Sequence, residues 1–577
     1  MRTVMTQPVR PDCGDTLTKG EGAANPVVSG PRTKAPPAHC TRRALPLVFP
    51  PGALSKGEAM ASVSVENWKI EKTVARAAGG VVAAQSAPAA AVGAEVLADG
   101  GNAVDAAVAT ALALSVTEPW MSGLGGCGYL VTYQAASGTV EVIDFGTAAP
   151  ARLDPSAFPL AEEGLPDSDL FGWSRVAGDR NVQGPMSIGL PGSVAGLGLA
   201  QESFGRLPWR SVVQPAVALA RQGHVVDWWS TLKIAGAAAS LRLFEGTSRI
   251  YLPGGLPPVS PPGASIHLDL SPLADTLDRL AEAGPGDFYR GDVAAAIASD
   301  VATAGGWLDR ADLEGYAAVR TAAQSLRHGT AEIHVPRGLN SGPTFADAWA
   351  RLGTAAPAGS RADLFAAYAK ALWEAYTQRL ERLGHDGDTA GQGSTTHLSV
   401  ADGEGNLVAL TNTLLSVFGS RVMSPSTGVL LNNGVMWFDP RPGRANSLAA
   451  GVRPLSNMVP LVVTRGGAPW FALGGSGGRR ILPAVLQVAS FLIDLELSVE
   501  EAVHHPRINV DGGAFVEVDP RLGEEVLERI ASIVPARAVE AMIMPNHYAN
   551  AVIAGIESGT CFGAGQVLSP VSAAFGR

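Results

Sequence analysis

The sequence predicts an α+β protein in which helices and sheet share one body. Amphipathic helical patterns dominate from Gly192 to Leu383, as in "LADTLDRLAEAG" and "ADLFAAYAKALWEAYTQRLERLG". After Leu383 the texture changes to runs of strand length, and strand patterns also occur ahead of the helices, which argues for one unit. With 46% hydrophobic and 17% charged residues among 577, the composition is that of a well-buried globular protein.

In chain order, residues 1–59 are rich in Pro, Gly and Ala and show no periodicity. Residues 1–74 are therefore read as a disordered extension, or as a product of start-codon choice, since Met60 opens a better-behaved sequence. The alanine-rich run from Val81 to Ala98 predicts a helix that "DGG" at 99–101 ends. Asn102 is placed to cap a second helix, "AVDAAVATALALSV", buried nearly all round. "SGLGGCGYLVTY" and "TVEVIDFG" flank "QAASG" and predict a hairpin. Among the helices that follow are "RSVVQPAVALARQG" and "GDVAAAIASDVATAG".

"HDGDTAGQGS" (385–394) is polar and aperiodic, and reads as a loop or linker. "TTHLSVADGEGNLVALTNTLL" then predicts two alternating strands around "ADGEGN", with further strand-like pieces in "GVLLNNG", "PLVVTR" and "PWFAL". The run "ILPAVLQVASFLI" predicts a helix directly after the glycines of "GGSGG".

Several function classes are excluded. The net charge is −10 and the basic residues are scattered, so nucleic acid is not expected as a partner. Cys13, Cys40, Cys127 and Cys561 show no C-x-x-C spacing, which argues against zinc and against a disulfide framework. His504 and His505 are adjacent and so point differently, which does not suit a shared metal. No metal or cofactor is expected. No apolar run reaches the roughly 18 residues of a membrane-spanning helix. Arg42-Arg43 before "ALPLVFPPGAL" faintly resembles a signal peptide, but its apolar core is short, interrupted by proline and late. The expected location is cytoplasmic, with periplasmic or secreted as the alternative.

Chemistry is suggested at two places. A chain cut before Thr395 would carry a hydroxyl and a new α-amine on one residue. An α-amine titrates near ~8 and can serve as a base around neutral pH. The bland reading is that Thr395-Thr396 simply opens a strand. The second place is Ser476 within "GGSGG", in a strand–turn–helix context that suits a nucleophile elbow. Asp494 with His504 or His505 would then complete a triad. Against that reading, the region ahead of Ser476 is largely helical, where such a fold needs alternating strands and helices.

"LADGGNAVDAAVATALALSVTEPWMSGLGGCGYLVTY" (97–133), "TTHLSVADGEGNLVALTNTLLSVFGS" (395–420), "GVLLNNG" (428–434), "RPLSNMVP" (453–460) and "GGSGGRRI" (474–481) occur in this order. Together they resemble the γ-glutamyltranspeptidase family of N-terminal nucleophile hydrolases, over roughly residues 75–570. The resemblance implies a four-layer αββα sandwich and a proenzyme that cuts itself at Ser394–Thr395. The products would be a large subunit, 75–394, and a small subunit, 395–577. It implies Thr395 as nucleophile and Thr413 as the threonine supporting it. Gly477 and Gly478 match the glycine pair of the oxyanion hole, and Ser456 and Asn457 match a substrate-binding Ser-Ser pair. On this reading Ser476 shapes a glycine turn. The partners implied are a small-molecule amide and water or an amine acceptor.

The sequence departs from the family where glutamate is gripped. The arginine of "D-F-R" is Gly146, the acidic residue after "L-N-N" is Trp437, with Gly434 at another contact, and the asparagine two after the second threonine is Leu415. Each lost charged contact in a desolvated pocket is worth roughly 2–5 kcal/mol. Asp439 and Arg441 lie nearby, but two residues on they point elsewhere. The pattern resembles the acylase or amidase branch of the family. Three classes stay open: an amidohydrolase of altered acyl specificity, a γ-glutamyl hydrolase or transferase with relocated contacts, and a non-catalytic homologue.

Overall fold

Two seven-stranded antiparallel sheets form the centre of the molecule. The structure is a computed structural model that describes residues 70–161, 173–353, 359–384, 394–544 and 546–577, with the backbone only of Ser394. The expectations for residues 1–69 of the 1–74 extension, Cys13, Cys40, the signal-like stretch and residues 385–393 of the 385–394 linker lie outside the described residues, while Val74 at the end of the extension is buried in the core and Ser394 is in a strand.

The first sheet runs Ala573–Gly576, Gly80–Ala84, Ser394–Asp402, Leu407–Leu415, Cys127–Gln134, Thr139–Phe145 and Val319–Ala322. The second runs Ala75–Ala77, Thr560–Ala564, Asn550–Glu557, Ala468–Ser476, Leu461–Arg465, Ala331–Val335 and Gln324–His328. Strands from both sides of residue 394 therefore pair within each sheet, which makes the body a single unit.

Strand parity defines four layers. Val82, Leu398, Val400, Val408 and Leu410 point outward and pack on helices Ala87–Ala98 and Ala103–Thr117. Ile333, Val463, Phe471 and Leu473 pack on helices Gly342–Leu352, Arg361–Arg382 and Ile481–Ile493 on the far side. Val81, Val131, Ala401, Ala409, Val462, Ala472 and Ala554 fill the space between the sheets. This is the αββα arrangement. It also explains why Leu407–Leu415 is buried along its whole length, although its pattern resembles that of a half-exposed strand.

Helix Ala103–Thr117 starts on a capping box. Asn102 accepts from the Val104 and Asp105 amides, and the Asp105 carboxylate accepts from the Asn102 amide at 2.8 Å.

Two sequence expectations are corrected. Gly80–Ala84 is a strand, and the helix begins only at Ala87. The β-branched Val81 and Val82 pair with Val400 and Ala401, and Pro88 in the first helical turn cannot continue a helix from upstream. "GVLLNNG" forms no strand but isolated bridges at Leu430 and Leu431, because the Asn432 side chain donates to the Gly125 and Gly189 carbonyls instead. The helix-dominated span also holds three strands between Val319 and Val335, the last two joined at Gly329, whose φ is 58°.

Candidate active site

The end of the first sheet sets Thr395, Thr413 and Gly146 along one row. Ser394 pairs with Leu415 and Thr396 with Asn412, so a β-bulge leaves Thr395 facing Thr413 and Leu414. Thr413 pairs in turn with Cys127. Gly128 pairs with Phe145, so Cys127 reaches the end of the next strand, where Gly146 follows. Three inter-strand steps place Gly146 about 14 Å from Thr395. Thr395 and Thr413 are both fully buried.

Thr413 is held closely. Its amide donates to Asn412 Oδ1 at 3.0 Å, and that oxygen also accepts from the Ser193 hydroxyl at 2.7 Å. Its own hydroxyl oxygen accepts from the Leu415 amide at 2.8 Å. That leaves the hydroxyl proton available to a neighbour. Leu415 makes this bond at φ 82°, a conformation that non-glycine residues rarely adopt.

The second sheet faces this row through the strand Ala468–Ser476. The His397 ring lies flat enough on Gly474 that a Cβ there would sit 2.3 Å from it. That ring bonds Thr411 Oγ1 at 2.8 Å and Ser399 Oγ at 3.0 Å, and burial lowers its pKa to about 3, so it stays neutral. Gly477 follows at φ 132° and Gly478 at φ 65°, just before helix Ile481–Ile493. A Cβ on Gly477 would meet Ala549 Cβ at 2.8 Å.

Ser476 is engaged elsewhere than in a triad. Its hydroxyl meets Gln85 and accepts from Gln566 Nε2 at 3.2 Å. Asp494 bonds His328 at 2.6 Å, His504 Nδ1 bonds the Glu500 carbonyl, and His505 stacks on Phe365. The nucleophile-elbow alternative therefore finds none of its partners assembled.

Leu415 and Trp437 belong to one apolar cluster with Cys127, Tyr129, Trp173, Val182, Met436 and Met458. Burial pushes the Cys127 thiol up to about 12. The Trp437 ring is only 1% exposed, and its indole N–H has no hydrogen-bond partner among the described residues. Ser456 and Asn457 are buried beside Arg379, which donates to the Ser456 carbonyl at 3.0 Å and to Asn457 Oδ1 at 2.9 Å. Arg379 is itself fully buried, which lowers its pKa to about 10. Asn457 Nδ2, like the Trp437 indole, is a buried donor with no partner among the described residues.

Near Gly146 the fold brings in a guanidinium that sequence reading overlooked. Arg453 Nη1 donates to Asp144 Oδ1 at 2.9 Å, and the Gly146 amide donates to the same oxygen at 2.9 Å. Arg453 opens the "RPLSN" stretch, and its position three residues before Ser456 was the available signal. Arg441, by contrast, forms a two-pronged pair with Asp439 at 2.9 and 2.7 Å. Gln85 and Glu118 also touch the site; Gln85 lies outside the quoted motifs, and Glu118 lies within the one at 97–133 without having been given a role.

Among the described residues no three His, Cys, Asp or Glu side chains gather in a way that would hold a metal, and no helix is long and apolar enough to cross a membrane.

Fold and row together define an N-terminal nucleophile hydrolase-type αββα sandwich. The crystal structure of cephalosporin acylase from Bacillus halodurans shares this fold, with a TM-score of 0.78, 21% identity, and coverage of 90% of this chain and 99% of that one. The family model for gamma-glutamyltranspeptidase matches residues 89–389 and 360–534. The Acylase ACY 1 proenzyme of Pseudomonas sp. (strain V22) is 33% identical over 522 residues, which is 83% of this chain and 90% of that protein. The Glutathione hydrolase proenzyme of Escherichia coli (strain K12) is 33% identical over 495 residues, 75% of this chain and 81% of that protein. The chain belongs to the gamma-glutamyltranspeptidase family and is a hydrolytic enzyme of the amidohydrolase type.

Proposed function

We propose that this enzyme is a self-processing N-terminal-threonine amidohydrolase whose acyl specificity has moved away from γ-glutamyl. The single observation that carries the reading is the bulge that sets Thr395 opposite Thr413 and Leu414, with the Thr413 hydroxyl oxygen already accepting from Leu415.

In maturation, Thr395 Oγ adds to the Ser394 carbonyl carbon. The C–N bond breaks, leaving an ester and a free Thr395 α-amine, and water hydrolyses the ester. The large subunit would end at Ser394 and the small one begin at Thr395. In turnover, the α-amine takes the Thr395 hydroxyl proton as Oγ adds to the substrate amide. The Thr413 hydroxyl donates to Oγ. The N–H groups of Gly477 and Gly478 receive the oxyanion. Collapse expels the amine, which takes the proton, and water or an amine acceptor then releases the acyl group from Thr395.

The acyl pocket on this reading is the Leu415–Trp437 cluster, with Ser456, Asn457 and Gly146 at its edge. It is apolar where a glutamate α-ammonium would need a carboxylate, since Trp437 fills that place and Asp439 is taken by Arg441. This favours acyl groups without an α-amino group, in line with the acylase relatives. Arg453 supports a second reading, a γ-glutamyl hydrolase with a relocated anion clamp, in line with the glutathione hydrolase relatives. Its pairing with Asp144 already neutralises that charge.

The test is a panel of chromogenic anilides, γ-glutamyl against glutaryl and simple acyl. Higher kcat/KM for acyl groups lacking the α-amine is the expected result; preference for γ-glutamyl selects the second reading.

A further inference from the structure

Glu118 directly follows helix Ala103–Thr117 and is 4% exposed. Its Oε2 accepts from the Thr396 hydroxyl at 3.0 Å. Gln85, just after strand Gly80–Ala84, reaches the same pair: with its amide assigned so that the nitrogen faces acceptors and the oxygen faces donors, Nε2 donates to Thr396 Oγ1 and to Glu118 Oε2, each at 3.2 Å. At its other end, Gln85 Oε1 accepts from the His397 amide at 3.3 Å and from the Ser476 hydroxyl. The network thus runs from the residue directly after Thr395 to the residue directly before Gly477, and so joins the two sheets at the point where both halves of the chemistry must meet.

A buried carboxylate is expensive to keep, and packing alone gives no reason for one here. We propose that Glu118, acting through Thr396 and Gln85, is a positioning residue that holds Thr395 and the Gly477–Gly478 turn in register across the two sheets. This rests on the assignment of Thr395 as nucleophile.

The ionised carboxylate accepts from both Thr396 and Gln85. Protonation of Glu118 turns these two charge-assisted bonds at Oε2 into weaker neutral ones, so the network loosens. Burial raises its pKa to about 7, so the change falls near neutrality. The charged side chain that faces it is Lys233 of helix Trp228–Leu241, which favours the carboxylate. His224, which packs edge-on to the Trp120 ring, is held toward its neutral form by burial, as is His397. Turnover therefore gains an acid limb that belongs to Glu118, separate from that of the Thr395 α-amine.

The experiment uses the full chain with Glu118→Gln, Gln85→Ala and Thr395→Ala. It follows subunit cleavage by mass spectrometry over time. It then measures kcat, KM and the kcat–pH profile of processed protein on the acyl p-nitroanilide that the wild type turns over fastest. In Glu118→Gln a neutral amide oxygen replaces Oε2 as the acceptor of both the Thr396 and the Gln85 bonds, which lose their charge assistance. Cleavage and kcat are expected to fall together, on the order of 10²-fold, with KM unchanged, as for a small misplacement of reacting groups. The Glu118 acid limb disappears. Gln85→Ala cuts the same network without touching the buried carboxylate, and so decides the matter if Glu118→Gln does not fold: it must show the same kcat loss at unchanged KM. Wild-type kcat in either folded variant, with Thr395→Ala inactive, overturns the positioning role alone. Activity surviving in Thr395→Ala overturns the nucleophile assignment and the positioning role with it.

Discussion

The Leu415 amide donates to the Thr413 hydroxyl over 2.8 Å, from a backbone held at φ 82°. A leucine in that region is strained, and the strain fixes which lone pair of Thr413 is used and where its proton points. Thr413→Val keeps the side-chain shape and removes the acceptor. A buried N–H left without a partner costs about 1–3 kcal/mol. We expect a measurable drop in Tm, and a fall in kcat far larger than any change in KM, if the Thr413 proton serves Thr395. Unchanged kcat in a folded Thr413→Val would remove Thr413 from the chemistry.

The turn after Ser476 separates two roles. Gly477→Ala meets Ala549 at 2.8 Å and must hold φ 132°, so the turn shifts. Loss of one oxyanion donor typically costs on the order of 10²–10³ in turnover. Ser476→Ala cuts the Gln85 network at its second-sheet end and the contact with Gln566, but leaves the nucleophile, and is expected to cost much less than Thr395→Ala. Trapping the enzyme with an acylating inhibitor and mapping the adduct by mass spectrometry checks this: an acyl group on Thr395 is expected, and one on Ser476 reverses the assignment.

Selectivity should respond to two changes made together. Gly146→Arg restores a guanidinium and Trp437→Asp an acid, and both charges would clamp one zwitterion. The structure adds a condition. A side chain at 146 starts 3.0 Å from the Tyr129 hydroxyl and 3.2 Å from Asp144, so the new arginine competes with Arg453 for that carboxylate. Truncating a buried tryptophan also costs roughly 3–5 kcal/mol. The double variant is expected to melt earlier, and its folded fraction to shift kcat/KM toward γ-glutamyl over glutaryl anilide by more than either single variant does. Equal shifts in the single and double variants would argue against a joint clamp.

Stability should depend on pH through Glu118. Its folded pKa is raised from 4.5 to about 7, chiefly by burial. Between these values the folded state binds more proton than the unfolded state, so this group's contribution to stability falls as pH rises. Glu118→Gln removes that dependence. The Tm of the variant relative to wild type is expected to rise across this window and to level off above about pH 7. A constant difference across the window would show that Glu118 titrates normally.

Much of this site was legible in the sequence because its parts are short and local. The strand that Thr395 heads, the return strand that carries Thr413 and the glycine turn at 477–478 are local patterns, while the roles expected of these residues came from the order of the motifs and the family resemblance it carries. What stayed hidden depends on long-range placement. Arg453 reaches Asp144 across 309 residues, and Glu118 reaches Thr396 across 278, and neither separation leaves a periodic mark. Gly80–Ala84 was misread as helix because alanine-rich sequence favours helices until a neighbouring strand supplies a ladder. "GVLLNNG" was misread as strand because its asparagines bond the backbone in place of a ladder.

The central claim is that Thr395 becomes the first residue of a small subunit and acts from there. Intact-mass and N-terminal analysis of the purified, active protein tests it most directly. The account predicts two fragments, the smaller beginning at Thr395, and a single uncut chain for Thr395→Ala. A fully active wild-type sample consisting of one intact chain would contradict it.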